Sequence, residues 1–381
     1  MSTEARAKVA DLVKFDILTQ TQAVDNEKQI RAIARSFILP TKEMQEYAAK
    51  ASLGDDVYHE PSTIALEAHM AKLTGKEAAL FMPSGTMSNQ IALRTHLRQP
   101  PYSIVCDHRA HINKEWIYPE CYIWTGHHLT LDDIKEHIVT GDNVHFAPTE
   151  IIELENTLNG TIIPQEEVVR ISDHAHSLGI KMHLDGARIW HVAAETGVPL
   201  SELCAPFDSV SLCFSKGLAA PIGSCLVGPK QFIAKARWFR KLFGGGMRQT
   251  GVLTASAAYA LTYNFPKLFT VHALARRLEQ GLKGIGAEIL SPAETCMVFY
   301  DPTPLGVTYD EIFERGSKLP EPLELGGSRL VVHVQTTEQA VEDLLTLLRA
   351  LAEEKKAAGF VPPKREPQVN GQVKNIYIRR N

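Results

Sequence analysis

The sequence predicts an α/β protein with a large, mostly parallel-sheet domain and a small C-terminal α+β domain. Three observations predict it. Short apolar segments of strand length recur at 78–82, 103–106, 151–154, 181–184, 209–214 and 224–227. Helix-length stretches lie between them, among them a long polar helix expected over 165–177. Beyond about 265–275 the order changes to a long helix, three short strands and a final helix. Apolar strands alternating with helices argue for a parallel sheet covered on both faces. A chain of 381 residues also has room for a second, smaller unit.

Residues 1–50 read as an amphipathic helical arm, and the large domain as 51–268. A helix over 62–73 ends at Gly75, a residue that tolerates the left-handed turn at a helix end. The strand 78–82 follows, and the next helix, over 87–97, starts after Ser84-Gly85-Thr86. The small domain, 269–360, holds a helix over 269–282, strands at 288–290, 297–300 and 329–333, and a helix over 338–356. The tail 361–381 carries Pro362, Pro363, Pro367 and basic residues, and reads as extended.

Hydrophobic residues make up 44% of the chain, enough for a sizeable core, and the net charge of −4 points to neither nucleic acid nor an anionic membrane. No apolar run reaches the length of a membrane span, and the first residues lack the apolar core of a signal peptide. The six cysteines show no Cys-x-x-Cys spacing and read as reduced thiols of a cytoplasmic protein.

Lys216 follows the apolar run that ends at Phe214, and Asp185 ends an earlier one. A lysine at the end of a buried strand is costly to keep charged, so its free amine becomes available for a Schiff base. A strand-end aspartate can keep a pyridine nitrogen protonated. Lysine and aspartate in this arrangement are what pyridoxal phosphate (PLP) needs. Ser84-Gly85-Thr86 lies between a strand and a helix. Alone it is an ordinary N-cap; with the lysine and aspartate downstream it reads as a phosphate cradle at a helix N-terminus. His111 comes just after a strand, where it can stack on the ring or act as a base. His145 and Glu155-Asn156-Thr157 are weaker candidates; Glu155 and Asn156 follow the strand 151–154 and face the same end of the sheet as Asp185. Arg188 and Arg329, one per domain, suit a bidentate clamp on a substrate carboxylate. The glycine-rich turn 244–246 lacks the ending of a P-loop and reads as a turn near a subunit contact, with Arg248 placed to reach a phosphate.

Together these residues resemble the L-threonine aldolase family of fold-type I PLP enzymes. The likeness runs from about Ser52 to Ala260 and returns near Arg329. Its landmarks are Gly54-Asp55-Asp56-Val57-Tyr58, the segment from Gly75 to Thr86, Asp107 to His111, Leu154 to Thr157, Asp185 to Ile189, Phe214 to Gly217, and Gly244 to Gln249. The resemblance implies that Lys216 carries the cofactor, Asp185 meets its pyridine nitrogen and His111 stacks on its ring. It implies that Gly85 and Thr86 hold the phosphate, that Arg188 and Arg329 hold the substrate carboxylate, and that His145 is a second active-site histidine. It further implies a homotetramer built as a pair of dimers, with active sites at the dimer contact.

Two departures stand out. The family usually opens with Arg-Ser-Asp-Thr-Val-Thr, whose serine helps to bind the carboxylate. Here Arg35-Ser36-Phe37-Ile38-Leu39-Pro40 keeps the serine and loses the polar residues after it. The family also usually follows the ring-stacking histidine with Glu-Ala-Gly-Gly, where this chain has bulkier residues ending in Tyr118-Pro119. Trp116 and Tyr118 are therefore expected to wall the pocket near the substrate's β-substituent. The expected reaction is cleavage of the Cα–Cβ bond of a β-hydroxy-α-amino acid such as L-threonine or L-allo-threonine, giving glycine and an aldehyde. The alternatives are an amino-acid racemase acting on alanine, a β-eliminating lyase, and a catalytically silent scaffold that serves as an interaction partner.

Overall fold

The computed structural model describes residues 32–33, 39–56, 59–115 and 126–361. Eleven strands lie among them: β1 (Ala32–Ile33), β2 (Ala78–Met82), β3 (Ser103–Val105), β4 (Thr149–Glu155), β5 (Lys181–Gly186), β6 (Ser209–Cys213), β7 (Ser224–Gly228), β8 (Glu288–Ser291), β9 (Met297–Asp301), β10 (Glu324–Leu325) and β11 (Arg329–Val331).

The central sheet has the order β2–β7–β6–β5–β4–β3. Strands β3 to β6 are parallel, and β7 runs antiparallel to both its neighbours. The reversal has a local cause. No helix separates β6 from β7, so the chain must double back through residues 214–223, the turn that carries Lys216. The Phe214 N–H donates to the Gly223 carbonyl at 3.0 Å and closes that turn. Gly223 sits at φ 112°, and a Cβ there would lie 2.6 Å from the Phe81 ring, so glycine is required.

Side chains alternate across each strand. Ile152 and Leu154 of β4, Met182 and Leu184 of β5, and Val210 and Leu212 of β6 enter one large core with Trp190, Phe207 and Phe214. The intervening residues point the other way. Glu153, His183, Asp185, Ser209 and Ser211 are all buried, on the face where helix Gly85–His96 packs. The expectation of plainly apolar strands therefore holds for one face only in this part of the sheet, and the opposite face is polar and closed to water. Helix Gly85–His96 begins two residues earlier than expected because Ser84 caps it, accepting the Met87 N–H at 3.1 Å.

A second core forms around the antiparallel sheet β11–β9–β8 and the helices Leu268–Ile285 and Glu338–Ala357, with Leu278, Leu282, Leu344 and Leu348 between them. Strand β11 ends at Val331, two residues short of the expected strand end, and the Val332 N–H instead donates to the Cys296 carbonyl at 2.8 Å. The N-terminal arm departs from a purely helical reading. Strand β1 pairs in parallel with β10, and its Ile33 is fully buried in the second core. Helix Lys42–Ala48 then packs Met44 into the first core, with Tyr47 edge-on to Tyr259 at 5.7 Å. Among the described residues, no helix is long and apolar enough to cross a membrane.

Phe214 is fully buried and stacks between Phe81, at 6.4 Å, and Trp190, at 6.1 Å. Phe214→Ala should lower stability by about 3–5 kcal/mol, the usual cost of truncating a buried aromatic side chain. Chemical denaturation checks this through the transition midpoint.

Candidate active site

The carboxyl ends of β4, β5 and β6 bring three charged groups together. Asp185 is the penultimate residue of β5 and is 2% exposed. A buried carboxylate needs donors. Asp185 Oδ1 accepts the Ala187 N–H at 2.9 Å and Oδ2 accepts from Asn89 Nδ2 at 2.7 Å. Lys216 stands half-buried in the turn after β6. Burial pushes the Cys213 thiol up, and Lys216, Asp185 and Arg188 all lie within electrostatic reach of it. Glu155 ends β4. Burial, then the charge of Asp185, pushes its carboxyl up to about 7, against the His111 backbone N–H and the attraction of Lys216 and Arg188. That N–H donates to Glu155 Oε2 at 2.8 Å, which fixes the start of helix His111–Glu115 against the site.

The two arginines come from different parts of the chain. Arg188 precedes helix Ile189–Thr196 and Arg329 opens β11. Both act on the buried Cys296 thiol, which burial pushes up and the two guanidinium groups pull down. A small cavity there is lined by Arg188, His191, Lys216 and Gly217 on one side and by Cys296 and His333 on the other. His191 is held in place by His272 at 2.8 Å, which in turn binds Glu195 at 2.7 Å. A Cβ on Gly217 would fall 2.2 Å from His191 Nε2, so the backbone beside the lysine runs directly under that ring.

Ser84 and Thr86 are exposed at the start of helix Gly85–His96. Between them Gly85 leaves a cradle that a side chain would close, since its Cβ would lie 2.5 Å from Cys213 Sγ. An open helix N-terminus with two hydroxyls, a carboxylate at one strand end and an amine after the next are the donor set that PLP requires, and these residues fit it.

The backbone N–H of His145, on an exposed loop, is held by Asn143 Oδ1 at 3.0 Å. Arg248 pairs with Asp55 at 2.8 Å, and its carbonyl accepts the Asp56 N–H at 2.7 Å. Ser36, Trp116 and Tyr118 fall outside the described residues. Sequence reasoning did not single out Asn89, His183 or His191. For His183 a signal existed: it precedes Asp185 by two strand residues and therefore shares its face. Nothing local marks Asn89, one polar residue of a helix, as the partner of a carboxylate 96 positions away.

The raised carboxyl of Glu155 has a consequence for stability. Between about 4.5, the ordinary value, and about 7, the folded protein holds a proton that the unfolded chain has released. Stability contributed by this group is therefore lost as the pH rises through that window. The Glu155→Gln apoprotein should lose less melting temperature than the wild-type apoprotein between pH 5 and pH 7.5, as scanning calorimetry would measure. Parallel curves for the two proteins would remove this role from Glu155.

Comparison with known proteins agrees with this geometry. The profile of the beta-eliminating lyase family matches residues 36–303. A probable low-specificity L-threonine aldolase of Schizosaccharomyces pombe is 44% identical over 330 residues, covering 84% of this chain and 86% of that protein. An alanine racemase of Cochliobolus carbonum is 34% identical over 326 residues, covering 80% of this chain and 83% of that one. The fold matches that of a putative L-allo-threonine aldolase of Listeria monocytogenes with a TM-score of 0.68 at 22% identity, covering 85% of this chain and 97% of the other. The chain belongs to the beta-eliminating lyase family of fold-type I PLP enzymes, within its L-threonine aldolase group.

Proposed function

We propose that this protein is a PLP-dependent carbon–carbon lyase that cleaves L-threonine or a similar β-hydroxy-α-amino acid to glycine and an aldehyde. The observation that carries the reading is the pairing of a buried, hydrogen-bonded Asp185 with Lys216 at neighbouring strand ends, in a chain 44% identical to a probable threonine aldolase. When bound, PLP supplies an electron-accepting ring for the electrons of a bond broken at Cα. Lys216 offers the amine that attaches it. Asp185 holds a proton at the ring nitrogen, and Ser84, Gly85 and Thr86 receive the phosphate. Arg188 and Arg329 would hold the substrate carboxylate and so fix the orientation of the groups at Cα. The β-hydroxyl proton passes to a histidine. His111, anchored by Glu155, is the candidate at the cluster, and His145 is the alternative.

A second reading has its own support. The 34% identity to an alanine racemase means that this scaffold accommodates a different choice of bond. Incubating the PLP-loaded protein separately with L-threonine, L-allo-threonine and L-alanine, and assaying glycine, aldehyde and D-alanine, decides between them. Glycine with aldehyde supports the lyase; D-alanine without aldehyde supports the racemase.

We also assign the protein to a homo-oligomer, a dimer of dimers. Trp238 and Leu242 of helix Lys230–Leu242 are 77% and 71% exposed, and Phe243 follows them at 49%. Large apolar groups gathered in this way favour a protein partner over water. Cys204, Cys213, Cys225 and Cys296 are buried free thiols, which suits a reducing cytoplasm.

Lys216→Ala should lose the visible absorbance of the PLP-loaded protein together with turnover. Borohydride labelling of a different lysine in the wild type would reassign the attachment point. Arg188→Leu and Arg329→Leu should each raise the KM for amino acids by about 10-fold or more, because a hydrogen bond to a charged group contributes roughly 1.5–3 kcal/mol. Steady-state kinetics unchanged in both variants would dismiss the clamp.

A further inference from the structure

A continuous run of hydrogen bonds crosses the polar face beneath helix Gly85–His96 and ends on Asp185. Asn89 Nδ2 meets Asp185 Oδ2 at 2.7 Å, and His183 Nε2 meets Asn89 Oδ1 at 3.1 Å. Ser209 Oγ lies 2.8 Å from His183 Nδ1, and His96 Nε2 lies 2.8 Å from Ser209 Oγ. Asn89, His183 and Ser209 are no more than 2% exposed, so water does not compete for these bonds.

The direction of every bond follows from the one before it. A carboxylate only accepts, so Asn89 donates through its amide nitrogen and keeps its oxygen as an acceptor. His183 must then carry its hydrogen on Nε2. A neutral ring has a bare Nδ1, which accepts from the Ser209 hydroxyl. With that hydrogen committed, the Ser209 oxygen accepts from His96 Nε2–H.

We propose that this run is a one-way positioning relay, in which His183, acting through Asn89, aims Asp185 at the ring nitrogen of bound PLP without neutralising its charge. The inference rests on reading Asp185 as the partner of that nitrogen. His183 precedes Asp185 by two residues on β5 and shares its face. The surroundings keep the relay uncharged. Burial pushes His183 down to about 4, although the charge of Asp185 and a hydrogen bond with the Ser209 backbone pull the other way. Burial, then His183, pushes His96 down to about 3, with Asp208 opposing and Lys181 adding to the shift. Glu153, beside His183 in the register of β4 on β5, is pushed well up by burial and by Asp185, which favours its neutral form. A protonated His183 would satisfy the carboxylate from behind and draw its charge away from the ring. A neutral donor orients the carboxylate and leaves the charge in place.

Four variants of the PLP-loaded protein test the relay: His183→Leu, His183→Gln, Ser209→Ala and Asp185→Asn. Glutamine reproduces the donor and acceptor of a neutral histidine without titrating, whereas leucine only fills space. The relay predicts that His183→Leu lowers kcat by about 2- to 10-fold with KM unchanged, the span of one neutral hydrogen bond. It also predicts that the pH at which the visible cofactor band titrates moves by about one unit or more. Ser209→Ala should move both in the same direction by less, and His183→Gln should restore both. If His183→Leu does not fold, Ser209→Ala and the ring tautomer of wild-type apoprotein decide. Nitrogen-15 NMR should place the His183 hydrogen on Nε2, and a hydrogen on Nδ1 would overturn the relay. Equal losses in His183→Leu and His183→Gln, or none in either, would overturn it as well. Asp185→Asn separates the two readings. If it is impaired while the His183 variants are not, only the relay fails; if it matches the wild type, the role of Asp185 itself fails.

Discussion

One constraint governs this molecule: a carboxylate, Asp185, is buried at the end of a central strand and must be given hydrogen bonds there. An unsolvated, unpartnered charge in that position costs several kcal/mol. The Ala187 N–H supplies one bond from the strand's own continuation. The other comes from Asn89, which requires helix Gly85–His96 to lie across β5 with its second turn over Asp185. The same placement leaves the open N-terminus of that helix beside the Lys216 turn, since Gly85 packs against Cys213. The hydrogen bonds that satisfy one aspartate thus also set where a phosphate can be received.

The polar face of the sheet is tolerable because its charges are arranged unequally. Glu153, Glu155 and Asp185 stand near one another without water. Among the described residues nothing hydrogen-bonds either oxygen of Glu153, and burial with its acidic neighbours pushes its carboxyl well up. Glu155 is shifted less, being anchored by the His111 N–H and drawn down by Lys216 and Arg188. Negative charge is therefore concentrated on Asp185, the one carboxylate of the three that accepts two strong bonds.

The second core is tied to this edge by specific polar contacts. Thr295 donates to the Gly160 carbonyl at 2.7 Å, and Glu294 Oε2 accepts the Ile162 N–H at 2.7 Å, both on the loop that leaves β4. Leu39 and Gln335 exchange two bonds of 3.0 Å, fastening the N-terminal segment to the same unit. These contacts help to set how β11 sits against the large sheet, and so bring both Arg329 and Arg188 within electrostatic reach of Cys296. A carboxylate clamp made of these two arginines depends on that alignment more than on either arginine alone.

Much of this was legible in the chain itself. Strand β2 and helix Gln165–Ser177 have the bounds that their residue patterns predict, and the other strands of the sheet begin or end within about two residues of expectation. Strand-end Asp185 and Lys216, the Ser84-Gly85-Thr86 turn and the paired arginines could all be picked out because each sits at a punctuated boundary between elements. Periodicity records which face of an element is apolar, and it does so locally. It does not record which polar residue on one element will meet which on another. The pairing of Asn89 with Asp185, the His191–His272–Glu195 contact and the antiparallel course of β7 were decided by the tertiary structure. Each joins residues distant in sequence or depends on how a turn packs, as at Gly223 against Phe81. The sequence by itself determined the elements and their chemistry. Only packing decided which buried polar groups would satisfy one another, because that depends on positions in space that no single segment encodes.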